Sequence, residues 1–286
     1  MSAPATAPGA CRVVVNADDF GASPAVNEAV LRAHREGVLT SASLMVTGAA
    51  AAEAVALARA TPTLAVGLHL VLADAPGALS PGEIPHLCGA DGRLDPRPER
   101  AWLRLSASAV ARREAERELA AQFDRFAATG LSLSHVDGHH HLHLHPAAFP
   151  VAAALAERWG AAGVRLPWEG VRALATASRL RCAVDAAALG VLALRWRALA
   201  RRRGLRFAAR VHGIVGSGRM DASALRALAA RLPAGTAELF LHPSTAPAGP
   251  LGANPGDLAA LLDPDVRAAL QARGAALATY ATLEAP

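Results

Sequence analysis

The sequence predicts an α/β protein built on a parallel sheet, open or closed into a barrel. Three observations lead there. Short apolar runs alternate with helix-period segments along the chain, joined mostly by short connections. About seven or eight strands can be counted, with no polar linker and no internal repeat dividing them. Several of these strands finish in Asp or His: Asp18 and Asp19 after the first, His69 in the third, His135 and Asp137 in the next, and His242 near the end. In α/β barrels the reactive groups gather at the C-terminal ends of several strands, so a barrel with its site at that face is the expectation.

In chain order, Arg12–Asn16 (RVVVN) reads as a buried strand, and Ser23 with Pro24 behind it is a strong helix start. Thr40–Met45 is a second strand, an Ala-rich helix follows over about 49–60, and Leu64–Leu72 is a third strand. A Pro/Gly-rich loop over 73–98 precedes an Arg/Glu-rich helix at about 107–129. Leu131–Asp137 is strand-like, Ala147–Gly160 helical, Gly163–Leu166 a short strand, and a helix covers about 177–203. Leu205–Val215 is strand-like, Ala222–Leu232 helical, Thr236–Leu241 a strand, Pro255–Arg273 holds a helix, and Ala275–Tyr280 closes the pattern. One domain over 1–286 is expected, with 1–11 as a flexible tail.

Composition excludes several functions. The 286 residues are 52% hydrophobic, enough for a large core of Ala, Leu and Val, which argues against global disorder. All 29 basic residues are arginine, so a Schiff-base lysine and a Walker-type phosphate lysine are both ruled out. The net charge of +5 does not imply nucleic-acid binding, because aromatics make up only 4% and no helix-turn-helix or RNP signature occurs. Cys11, Cys88 and Cys182 form no CxxC pair, which argues against a disulfide framework or a thiolate zinc site. No secretory signal is visible at the start, and Asp185, Arg195 and Arg197 interrupt the apolar stretch 183–200, so a cytoplasmic protein is expected. The segment 183–203 combines apolar residues with Trp196 and five arginines, Arg195, Arg197, Arg201, Arg202 and Arg203. It is either the solvated face of a barrel helix or a peripheral contact with an anionic inner-membrane surface. A homodimer is left open.

Four motifs carry chemistry. In NADDFG (Asn16–Gly21), two adjacent carboxylates after an apolar strand point in different directions, so one can hold a metal while the other takes a proton; an Asx-turn or helix cap is the plain alternative. HVDGHHHLHLHP (His135–Pro146) holds six of the 11 histidines. On an extended segment His135, Asp137, His139, His141, His143 and His145 would share one face, although Gly138 is expected to break the strand. The bland alternative is a surface His tract. GLHL places His69 in an apolar strand, and LFLHP places His242 after one; each alone would be read as structural. His34 and His86 are read as structural or solvent-facing, and VHGIVGSG, containing His212, is not a dinucleotide fingerprint.

Together and in this order, NADDFG, GLHL, HVDGHHHLHLHP and LFLHP resemble the YdjC-like carbohydrate deacetylase family, which includes chitooligosaccharide deacetylases. The resemblance runs from Arg12 to about Tyr280. It implies a single TIM-barrel-like (β/α) barrel and hydrolysis of N-acetyl groups on amino sugars. It also implies one divalent metal ion, zinc, magnesium or similar, with Asp19, His69 and His139 at the metal-ligand positions. Asp18 matches the general base and His242 the general acid. Arg165, in GVRLP, is a weaker candidate to orient Asp18 or a substrate oxygen, against a surface arginine; His141 is one for the lining of the site. SPAVNEAVLRAHREGVLTSASLMVTG and EIPHL look more like the hopanoid biosynthesis-associated subgroup, which implies an N-acetylglucosaminyl hopanoid lipid as substrate. The competing readings are a deacetylase of soluble chitooligosaccharides, a non-catalytic sugar- or metal-binding protein, and a metal-dependent phosphoesterase. The last lacks an anion-binding Gly-rich loop.

Overall fold

Successive residues of the first strand face opposite sides of the sheet, and that alternation organises the molecule. The computed structural model describes residues 11–170, 180–247 and 252–284. Strand β1 (Cys11–Phe20) turns Val13, Val15 and Ala17 outward into the main core, under the helices. Val14 lies on the opposite face, against Ala278, Tyr280 and Leu283. The period of two places Asn16 and Asp18 on that same inner face.

Eight parallel strands follow this logic. They are β1, β2 (Ser41–Leu44), β3 (Ala65–Leu70), β4 (His135–Gly138), β5 (Gly163–Val164), β6 (Arg210–His212), β7 (Gly235–Leu241) and β8 (Ala275–Ala278). The sheet order is β5-β4-β3-β2-β1-β7-β6. Beside β1, β8 pairs with Cys11–Val14 and β2 takes over from Asn16, so β1 has three strand partners. The described helices are α1 (Pro24–Glu36), α2 (Ala51–Arg59), α3 (Pro98–Ala107), α4 (Ala109–Ala128), α5 (Phe149–Arg158), α6 (Leu180–Arg202), α7 (Ala222–Ala229), α8 (Pro255–Leu262) and α9 (Pro264–Ala272).

The closed TIM-barrel-like architecture expected from the sequence is not what forms. The seven strands of this order, with β8 set beside β1 off the path, make an open half-barrel that curls through 239° and leaves its edges 11 Å apart. The cause is the brevity of the edge strands: β5 has two residues and β6 three. Across the gap scattered backbone bonds form in place of a continuous ladder: Arg206 N–H to the Ala162 carbonyl at 3.1 Å, Val164 N–H to the Arg206 carbonyl at 2.8 Å and Val211 N–H to that of Trp168 at 3.1 Å.

Local signals explain most element boundaries. Ser23 Oγ accepts the Val26 N–H at 3.3 Å, with Pro24 opening α1. Asp263 ends α8 and caps α9 before Pro264, so the single helix expected over 255–273 is two. The expected strand over 205–215 shrinks to β6, and α3 at Pro98–Ala107 was not foreseen. The loop over 73–98 is pinned by a polar stripe on α4. Glu118 accepts the Ala78 and Leu79 N–H groups at 2.6 and 2.9 Å, and Glu114 accepts from His86 N–H at 2.8 Å. Residues 1–10 of the expected tail lie outside the described residues, while Cys11 already belongs to β1. No described helix is long and apolar enough to cross a membrane. Within 183–203, left open between a solvated barrel-helix face and a peripheral membrane contact, Trp196 is buried: it stacks on Phe149 and donates its Nε1–H to the Leu144 carbonyl at 2.9 Å.

Candidate active site and metal centre

The inner face of the curled sheet is polar where most interiors are apolar. Asn16 and Asp18 from β1, Ser41 and Ser43 from β2, His69 from β3, His135 and Asp137 from β4 and Glu238 from β7 all have at most 2% of their surface exposed. Buried polar groups are costly unless they are bonded, and nearly all of these are. Asn16 donates to Asp18 Oδ1 and to Ser43 Oγ, both at 2.8 Å, and accepts from Ser41 Oγ. Ser43 Oγ donates to Asp137 Oδ2 at 2.7 Å and meets His135 Nε2 at 3.1 Å. His135 stacks on Tyr280, whose hydroxyl donates to Glu238 Oε2 at 2.5 Å. Gly67 is required by this crowding, since a Cβ there would stand 2.5 Å from the His135 ring.

Arg165 sits at the centre of this network with no exposed surface. It grips Asp18 with two bonds of 2.7 Å, reaches Asp137 Oδ2 at 2.9 Å and donates Nε–H to Glu238 Oε1 at 2.9 Å. Its planar fork suits this bidentate task, and its guanidinium also lies 4.5 Å from the Phe240 ring centroid. Burial works against its charge, but Asp137, Asp18 and Glu238 hold it well above the ordinary arginine range. Of the two roles considered for Arg165, the geometry fits a grip on Asp18, and the surface-arginine alternative is excluded.

Asp19 follows Asp18 but faces a different set of groups. Its φ of 61° puts it in the left-handed region, which turns its side chain toward His69 and His139. Asp19 Oδ1 lies 3.3 Å from His69 Nε2 and 3.1 Å from His139 Nδ1. Neither oxygen of this wholly buried carboxylate has a hydrogen-bond partner, nor does His139 Nε2. Donor atoms packed this closely without hydrogen-bond geometry fit ligands of a common ion, which at roughly 2.1 Å from it stand about 3.0–3.4 Å apart. His69 is oriented from behind, its Nδ1 2.7 Å from Asp137 Oδ1, leaving Nε2 toward Asp19 as metal-binding histidines require. Asp19, His69 and His139 therefore form a buried cluster able to coordinate a divalent metal.

The close packing also shifts how these groups titrate. Burial would raise the Asp19 carboxyl, but His139 and His69 hold it well below the usual range. Burial would lower His69, but Asp137 and Asp19 push it up to about 10. Asp137, desolvated yet flanked by Arg165 and His69, stays well below the usual carboxylate range. Burial pushes His135 down to about 4 and His141 well below the ordinary histidine value.

His242 follows β7, with its Nε2 3.9 Å from Asp18 Oδ2. Its backbone N–H donates to buried Asp257 Oδ2 at 2.9 Å, which fixes the turn. A cavity of about 730 Å³ opens over these groups at the C-terminal strand ends, lined by Asp18, His69, His139, His141 and His242 on its polar side. Trp102 and Leu103 of α3, Leu189 and Leu192 of α6, and Ile214 form its apolar side. Glu169 accepts the N–H groups of Gly213, Ile214 and Val215 and so holds Ile214 in place.

The structure thus brings Asp18, Asp19, His69, His139, Arg165 and His242 together, with His141 on the cavity wall. The shared-face reading of the histidine tract ends at Gly138, because His139–Leu144 is a 3-10 turn with His140 and His141 at φ of 52° and 55°. His143 Nε2 instead meets the Arg165 carbonyl, and His145 packs on Trp102. Sequence reasoning missed Asn16, Ser43, Glu238 and Tyr280. Glu238 left a usable signal, since it shares strand parity with Phe240 and His242.

Two outcomes follow. Arg165→Met, which strands three buried carboxylates, lowers folding stability by about 3–5 kcal/mol in urea unfolding, with a smaller loss for Arg165→Lys. His135 generates acid sensitivity: below pH 6.5 the unfolded chain binds a proton that the folded chain refuses until about pH 4. Stability is full above that window and falls across it, by roughly 3 kcal/mol at most, and His135→Phe flattens this part of the pH profile.

Comparison with known proteins places the chain among relatives. A family model described as YdjC-like protein matches residues 12–272. A carbohydrate deacetylase of Brevibacillus brevis is 47% identical over 157 residues, 55% of this chain and 60% of that protein. A chitooligosaccharide deacetylase of Serratia marcescens is 36% identical over 175 residues, 61% of this chain and 66% of that protein. The matched region thus spans about three fifths to two thirds of the length of these curated relatives. In fold, the chain is similar to the crystal structure of a candidate cellobiose-phosphate cleavage protein of Enterococcus faecalis V583, with TM-score 0.73 and 24% identity over 94% of this chain and 97% of that one. With the family model covering nearly every described strand and all four polar motifs, the chain belongs to the YdjC-like protein family.

Proposed function

We propose that the protein is a metal-dependent carbohydrate N-deacetylase that releases acetate from N-acetylglucosamine units of chitooligosaccharides. The observation that carries this reading is the pairing of a metal-type cluster with a spare carboxylate. Asp19, His69 and His139 would hold the ion, while Asp18 and His242 face the same cavity without belonging to that ligand set. Pure metal storage needs neither of the last two. The deacetylase names of the Brevibacillus brevis and Serratia marcescens relatives support the substrate class.

A divalent ion held by Asp19, His69 and His139 supplies Lewis acidity at the acetamide carbonyl. The remaining work belongs to the chain. Asp18 Oδ1 is occupied by Asn16 and Arg165, while Oδ2 accepts only from Arg165 and keeps a lone pair on the side nearest His242. That oxygen takes the proton of the attacking water. His242 Nε2, on the open side of Asp18, delivers a proton to the departing sugar amine, which leaves poorly as an anion. Arg165 keeps Asp18 in one orientation throughout.

With diacetylchitobiose, the metal-loaded protein releases acetate, and Asp18→Asn lowers kcat by roughly a hundredfold or more with metal content intact. Asp19→Ala loses the metal itself. Full activity in Asp18→Asn would overturn the assigned base; no acetate from the loaded protein would favour a binding role.

A second reading, an N-acetylglucosaminyl hopanoid lipid as substrate, is favoured by the apolar wall of the cavity. At its mouth Leu103 is 66% exposed, and the outer stripe of α6 leaves Val184 and Val191 57% and 67% exposed. Arg195, Arg201 and Arg202 continue that helix, a surface suited to peripheral contact with anionic lipid. On this reading the glycolipid in mixed micelles outpaces diacetylchitobiose in kcat/KM, and the protein sediments with anionic vesicles unless Val191 is replaced by Glu. A preference for chitobiose without sedimentation removes it.

A further inference from the structure

The cavity reaches the proposed metal ligands and is also lined by His140, so an ion arriving through it has a further donor beside its path. Asp19 and His69 have essentially no solvent contact, so a hydrated cation cannot meet them before shedding water. His139 belongs to two clusters. Besides Asp19 and His69, it is grouped with Asp74 and His140, whose ligand atoms and its own all lie within 4.8 Å of one another. Asp74 Oδ2 stands 3.5 Å from His140 Nε2, and the His139 and His140 rings are 4.0 Å apart at their centroids. This outer pair is about one-third exposed: 34% for the Asp74 side chain and 36% for that of His140. The buried Nε2 of His139 has no hydrogen-bond partner. One shared imidazole therefore joins a solvent-facing donor pair to a buried one.

We propose that Asp74 and His140, together with His139, form an outer coordination site that captures a divalent cation from solvent and passes it inward to Asp19 and His69. The inference rests on the reading of Asp19, His69 and His139 as the resident metal site. Stepwise ligand exchange lets each protein donor replace a water, so no stage requires a bare ion. His139 is the ligand common to both stages. Because the route serves both directions, the outer pair governs how fast the ion enters and leaves, and leaves the inner equilibrium unchanged.

The test follows Co²⁺ uptake by the metal-stripped full-length chain through cobalt absorption in stopped flow. The variant is Asp74→Asn with His140→Asn, since asparagine tolerates the left-handed backbone of both positions, at φ of 56° and 52°. Circular dichroism checks that the fold is retained, and Asp74→Asn alone serves if the double variant does not fold. The expected result is uptake and chelator-driven release both slowed by roughly tenfold or more, with an unchanged dissociation constant. Uptake at the wild-type rate would overturn the proposal. So would two tightly held equivalents in the wild type falling to one in the variant, because that describes a standing second site. A wild type that takes up no cobalt would fail the inner metal reading itself, and Asp19→Ala separates the cases: it abolishes the final absorption band only if the inner site is the destination.

Discussion

The guanidinium of Arg165 is the element on which the rest of the interior depends. It lies among three carboxylates contributed by β1, β4 and β7, and it enters from the end of β5. Without it, Asp18, Asp137 and Glu238 would be like charges confined together out of water, an arrangement proteins do not sustain. With it, strands from both sides of the half-barrel are tied through the centre. The sheet never closes through its backbone at β5 and β6. A side chain draws that open side together instead.

The same charge divides labour between two neighbouring residues. Asp18 is drawn down to Arg165 and Asn16, while Asp19, one peptide on, swings to the imidazoles through a left-handed backbone. The two carboxylates differ in what surrounds them and not in their chemistry. Asp137 bridges both halves, with one oxygen at His69 and the other shared by Arg165 and Ser43. A disturbance at Arg165 therefore reaches the proposed base and the proposed metal ligands together.

Much of this was legible from residue types and order. The strand–helix alternation foretold the parallel sheet, and polar residues at strand ends pointed to the correct face of it. Closure was not legible, because it depends on how far β5 and β6 extend, and GVRLP and RVH carry no signal that sets those lengths. The histidine tract misled at Gly138, where a period of two gave way to a turn with His140 and His141 in the left-handed region. Glu238 and Asn16 escaped notice because a single polar residue in an apolar strand looks like tolerance. Only the meeting of several such residues in the interior, more than 200 positions apart in the chain, shows them to be one network.

The position of β1 also bears on how the protein is made. It is the first described strand, yet two of its partners, β7 and β8, are separated from it by more than 200 residues. At a synthesis rate of about 5–20 residues per second, Val13 and Val15 await those partners for on the order of ten to fifty seconds. Until β7 and β8 emerge, the Val13–Val15 part of β1 has no strand beside it, while its Asn16–Phe20 part can already pair with β2. Assembly of the core is then a late event, governed by long-range pairing rather than local helix formation.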